Sequence, residues 1–193
     1  MRIVSANYSN KTTERVVRHT KDLTYIALMV GLMSVCSWIS VPTAVPFTLQ
    51  TFAVFASVLL LGGKRGTVAI VCYILLGLVG APVFSNMTGG VSQLAGLTGG
   101  YIIGFVFIGL VYWLFETIFG KKLWAQIAAL VIGLAVCYTF GTAWFILVYG
   151  QRFGSISVLS ALSTCVFPFI PVDAVKLAAA ILLATAIGKR IAI

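Results

Sequence analysis

Apolar residues in this chain come in long blocks, separated by short breaks rich in Lys, Arg, Pro and Gly. A helix needs about 20 mostly apolar residues to cross a bilayer core, with tolerance for tilt and for broken helices. By that measure the pattern predicts six spanning helices, over about 23–40, 48–62, 66–84, 97–119, 124–149 and 171–188. The second block is short. Ahead of this 23–193 membrane domain, residues 1–22 form a basic arm with no apolar core and no cleavage-like site, so no signal peptide is expected.

Composition narrows the class. Of 193 residues, 61% are hydrophobic and 9% charged, against roughly 45–50% and 25% in soluble domains. Such a chain cannot cover itself with a water-facing surface, which excludes a soluble enzyme and a disordered protein. What remains is an all-α, multi-pass membrane protein. The net charge of +9 would suggest nucleic acid on a soluble protein, but here the basic residues sit between apolar blocks and read as topology signals. With both termini cytoplasmic, the inner side collects Arg2, Lys11, Arg15, Arg18, Lys21, Lys64, Arg65, Lys121, Lys122, Lys189 and Arg190. The outer side holds Arg152, and Lys176 falls within the last span. Cys36, Cys72, Cys137 and Cys165 are scattered through apolar blocks and His19 lies in the arm, so neither a disulfide frame nor a metal site is expected.

The inner connections are short (GGKRG, GKKLW). The outer ones are longer and carry more Pro, Gly and small polar residues, which places function on the outer side. The strongest single signal there is Asp173 with Lys176, an i,i+3 pair near the outer end of the last span. Charges at membrane depth are costly and usually face a cavity; the plainer reading is an ion pair that locks helices. The prolines at 168 and 171 predict a helix start near Pro171, which would put Asp173 in the first turn and favour its carboxylate through the helix dipole. Asn86, Gln93 and Thr98 stand in a glycine-rich outer loop whose backbone could approach a ligand closely, or serve as a flexible connector. Thr48, Gln50 and Thr51 enter the short second span and could equally be caps. Trp38, Phe47, Tyr101 and Trp144 could stack on a ring or belong to an interface belt. Small residues four apart, Ala27 and Gly31 in the first span and Gly100 and Gly104 in the fourth, permit close helix approach, internally or to a partner. No phosphate-binding loop, zinc motif or nucleophile triad is present, so no enzyme is expected.

Taken in order and spacing, the stretches VPFTLQTFAVFASVLLLG (45–62) with the following KRG, YILLGLVGAPVF (73–84), LTGGYIIGF (97–105), Gly141-x-x-Trp144 and PFIPVDAVK (168–176) resemble the BioY family, the biotin-specific S components of energy-coupling factor (ECF) transporters. The likeness runs over about 25–188. The family often has GPTGGY where Gly96-Leu97-Thr98-Gly99-Gly100-Tyr101 stands here, and a glycine where Val172 stands.

The resemblance implies the ECF S-component fold, with both termini cytoplasmic, in a prokaryotic plasma membrane. It implies capture of biotin from outside, no cofactor, and assembly with a transmembrane coupling subunit and two cytosolic ATPases, the coupling subunit docking at Ala27 and Gly31. Within biotin, Asp173 suits the ureido N–H groups and Asn86 the other ureido edge. Lys176 could donate to the ureido carbonyl, hold Asp173 ionised or meet the carboxylate. Trp38, Phe47, Tyr101 and Trp144 are candidates for the apolar wall, and Gln50, Gln93, Thr98 and Arg152 for the carboxylate end. An S component for another vitamin and a stand-alone secondary transporter are the alternatives. The latter would want intramembrane acids along a path, and only Asp173 and the near-edge Glu116 exist.

Overall fold

The computed structural model describes residues 2–41 and 46–188. The PTAV segment at 42–45 and the basic pair Lys189 and Arg190 lie outside the described residues. Six long helices appear where the hydropathy pattern places spans: α1 (Arg2–Trp38), α2 (Gln50–Leu61), α3 (Gly63–Leu78), α5 (Gly99–Phe119), α6 (Leu123–Phe153) and α8 (Phe169–Gly188). The longer connections carry structure of their own. Strands β1 (Ser40–Val41) and β2 (Phe47–Thr48) pair antiparallel, and the short helices α4 (Val91–Leu94) and α7 (Val158–Cys165) fill the two longest connections.

Among the described residues, α5, α6 and α8 are long and apolar enough to cross a membrane by themselves. With 12 and 16 residues, α2 and α3 reach about 18 and 24 Å, short of a core about 30 Å thick. The early end of α3 has a visible cause. Ala81 N–H donates to the Leu76 carbonyl and Gly80 N–H to that of Gly77, with Gly80 at φ +102°. This left-handed glycine stop closes the helix, and Pro82 cannot resume it. The predicted third span therefore bends out of helix at residue 79. At the other extreme, α1 runs unbroken from the basic arm into the bundle, so the backbone shows no break at residue 22.

The bundle holds together where side chains are small. A Cβ on Gly100 would sit 2.3 Å from Trp144 Cβ, and one on Gly104 2.7 Å from Cys137 Sγ, so α5 and α6 lie in close contact along this seam. The Gly100/Gly104 motif thus serves internal packing. The loop glycines do likewise. A Cβ on Gly99 would meet the Leu94 carbonyl and one on Gly89 the Ala81 carbonyl. The glycine-rich connection is therefore a packed structure rather than a flexible connector, and its glycines are not among the residues lining the cavity described below.

The opposite end is clasped by charge. Gly63 N–H, at the start of α3, donates to Glu116 Oε2 at 2.6 Å, and Arg65 pairs with Asp22 of α1 at 3.1 Å. A carboxylate on the free N–H groups of a helix start is favoured by the dipole. Glu116→Gln is expected to lower stability by about 1 kcal/mol, within the range for lost caps, read as a drop of a few degrees in the melting temperature of the detergent-solubilised protein.

A buried Asp–Lys cavity at the loop-rich end

The N-terminal ends of α2, α5 and α8 converge at the end of the bundle that carries the long connections. Together with α6, α7 and two turns they enclose a cavity of about 70 Å³. Its floor is ionic. Asp173 and Lys176, both on α8, are 2% and 6% exposed. Lys176 Nζ donates to Asp173 Oδ1 at 2.6 Å and to Thr51 Oγ1 at 3.1 Å, and Thr51 Oγ1 donates to the same Oδ1 at 2.9 Å. Tyr138 on α6 donates its hydroxyl to Oδ2 at 2.5 Å. Three donors on one carboxylate satisfy a charge that an apolar interior would otherwise penalise heavily.

The route to this geometry differs from the expected one. Helix α8 starts at Phe169, because the Phe169 and Ile170 N–H groups both donate to the Val166 carbonyl. Pro171 sits in the first turn, where its missing N–H is not needed. Asp173 therefore falls in the second turn, and side chains from α2 and α6, rather than the first-turn dipole, hold it.

The walls are aromatic and small. Tyr101 lines the cavity and hydrogen-bonds Thr142 at 2.9 Å, its ring lying where a Cβ on Gly141 would stand. Phe169 lines it too, and Phe47 backs Phe169 as a parallel stack with centroids 4.1 Å apart. Gln50 and Thr98 also face the cavity.

The other sequence-proposed residues stand off it. Trp38 is an exposed residue whose indole N–H donates to the Pro82 carbonyl, and Trp144 donates to the Gly96 carbonyl at 3.0 Å, so both tether loops. Asn86 is exposed, accepts from Ser40 Oγ at 3.2 Å, and shares the left-handed turn at φ +56° with Met87 at φ +55°. That conformation suits asparagine in a tight hairpin turn. The cavity-lining residue of this turn is its neighbour Ser85. Gln93 is half-buried in α4 and is not among the lining residues, and Arg152 is exposed in the last turn of α6, where a cation complements the helix dipole. Tyr138 was not singled out from the sequence. Its signal was a hydroxyl in mid-span, four residues before Thr142, which is common enough in apolar helices to pass as core.

A sequence model of the BioY family matches residues 8–193. The chain belongs to the BioY family. A relative called biotin transporter BioY in Thermotoga maritima is 38% identical over 170 residues, covering 88% of this chain and 96% of the relative. A probable biotin transporter BioY of Pyrococcus horikoshii is also 38% identical, over 85% of this chain and 94% of its own length. These named family members are transporters, not enzymes. The crystal structure of the S-component for biotin from an ECF-type ABC transporter superposes with a TM-score of 0.77, covering 89% of this chain and 93% of that one at 24% identity, so the fold is shared. The family match begins inside the basic arm, earlier than the motifs quoted above.

Proposed function

We propose that this protein is the biotin-binding S component of an ECF uptake transporter, capturing biotin outside the plasma membrane and releasing it inside with a coupling subunit and two cytosolic ATPases. The observation that carries this reading is the buried Asp173–Lys176 pair at the floor of a mostly apolar cavity, in a chain of the BioY family. Biotin combines a ureido ring, an apolar thioether ring and a valerate carboxylate. Asp173 offers charge-assisted acceptance to a ureido N–H, Lys176 donates to the ureido carbonyl or the valerate, and Tyr101 and Phe169, the latter backed by Phe47, flank the apolar ring. Thr98, with Thr48 and Ser85, offers polar groups to the carboxylate end. The inner side is the end with the short, Lys-rich turns, by the positive-inside rule. Glu116 caps a helix at that end, far from Asp173, so the two acids form no continuous path across the bundle. That geometry weighs against ion-driven transport.

Calorimetric titration of the detergent-purified protein with biotin tests the reading. Saturable one-site binding at submicromolar Kd is the expected result. A folded protein that ignores biotin but binds thiamine or riboflavin would make it an S component for another vitamin. Biotin uptake into vesicles lacking any ATPase, driven by an ion gradient, would make it a stand-alone transporter.

A further inference from the structure

Behind the cavity wall a hydrogen-bond chain joins α1, α2, α3 and the turn after α3. Gln50 lines the cavity, and its Nε2 donates to the Tyr73 hydroxyl at 2.6 Å. Tyr73 donates to the Val83 carbonyl at 2.8 Å. Ser37 Oγ lies 2.5 Å from the same carbonyl and 2.7 Å from that of Ser34. Tyr73 is fully buried and does not line the cavity.

Proton counting gives this chain a direction. A phenol carries one proton, and a carbonyl can only accept. With the Tyr73 proton on Val83, the hydroxyl can only accept from residue 50. The Gln50 amide is then fixed with its nitrogen toward Tyr73, because the flipped amide would set Oε1 against an oxygen lone pair. The phenol is itself held in place. Its ring packs edge-on against Phe84 with centroids 5.5 Å apart, and Phe84 fills the space above Gly77, where a Cβ would lie 2.1 Å from the ring.

We propose that Tyr73 is a positioning residue that fixes Gln50 as a hydrogen-bond acceptor, its Oε1 available to a ligand N–H in the cavity. This rests on the biotin reading and sharpens it. A ureido ring presents two N–H donors, and Asp173 from α8 and Gln50 from α2 are then the acceptors that read them. Gln50 moves from the carboxylate end, where its side chain would have to donate, to the ureido end.

The test is a double-mutant cycle on biotin Kd, measured by calorimetry on wild type, Tyr73→Phe, Gln50→Leu and the double variant, with thermal melts alongside. Tyr73→Phe is expected to raise Kd about fivefold, the factor that corresponds to the loss of one buried hydrogen bond. In the Gln50→Leu background the same change should have no further effect, because Tyr73 acts through Gln50. An unchanged Kd for Tyr73→Phe, or factors that multiply in the double variant, overturns the proposal. A folded wild type that does not bind biotin overturns the biotin reading first and takes this proposal with it. If Tyr73→Phe fails to fold, Ser37→Ala decides. The Tyr73 proton reaches Val83 without Ser37, so Kd should stay within twofold of wild type. A loss of about fivefold would mean that Ser37 serves Val83 and the Tyr73 proton points to residue 50, the opposite polarity.

Discussion

Asp173→Asn is expected to abolish measurable biotin binding and to lower the melting temperature of the detergent-solubilised protein. The substitution is nearly isosteric, so the effect is electrostatic. Lys176 Nζ loses a carboxylate oxygen 2.6 Å away while remaining 6% exposed. Removing one partner of a buried pair costs about 3–5 kcal/mol, because the other charge is left uncompensated. For a chain of this size that corresponds to a drop on the order of 10 °C. The Asn amide also sets a donor against either Tyr138 or the Thr51–Lys176 side, each of which already donates. Asp173→Asn combined with Lys176→Met removes both charges and should recover most of the stability without recovering binding. Melts and calorimetry on the three proteins separate the two effects. Wild-type affinity in the double variant would show that the pair is a structural lock and that biotin is read elsewhere.

Gly31→Trp is expected to stop biotin uptake by cells while leaving binding by the purified protein unchanged. Val17, Thr20, Thr24, Ala27, Gly31 and Val35 follow one another at three- and four-residue steps along α1, and all are exposed. They therefore form one face of the helix. A Cβ on Gly31 would meet nothing within 4 Å. Asp22, which pairs with Arg65 of α3, holds the opposite side of α1 to the bundle. The first small-residue motif thus faces outward, whereas Gly100 and Gly104 are consumed in packing. An indole on such a face does not disturb the fold, but it holds a partner helix several ångströms away and removes the close approach that small residues permit. The paired measurement is radiolabelled biotin uptake in cells supplied with the coupling subunit and ATPases, alongside calorimetry on the purified variant. Undiminished uptake would move the coupling surface elsewhere, for instance to the exposed face of α8 at Val175 and Leu182.

The hydropathy blocks located all six long helices because membrane-spanning order is local: a run of apolar residues must close its own backbone hydrogen bonds wherever it sits. The Asp173–Lys176 pair was legible for a related reason, since two charges in an apolar run announce themselves. Helix ends were less legible. The end of α3 at Leu78 depends on a left-handed glycine, and the start of α8 at Phe169 on the Val166 carbonyl, neither of which hydropathy weighs.

The polar and aromatic residues around the pair divided on grounds the sequence does not contain. Tyr101, Gln50 and Thr98 reach the cavity, whereas Trp38, Trp144, Asn86 and Gln93 do not line it, although all seven stand in or beside the longer connections with similar chemistry. Tyr138 and Thr51 became partners of Asp173 across 35 and 122 residues of chain. The sequence by itself determined the class, the number of long helices and the Asp173–Lys176 ion pair, because each follows from the cost of placing particular residues in an apolar medium. Which side chains meet that pair, and which of two similar glycine motifs is left facing outward, was decided by the tertiary structure alone, because both depend on how helices distant in sequence rotate and pack against one another.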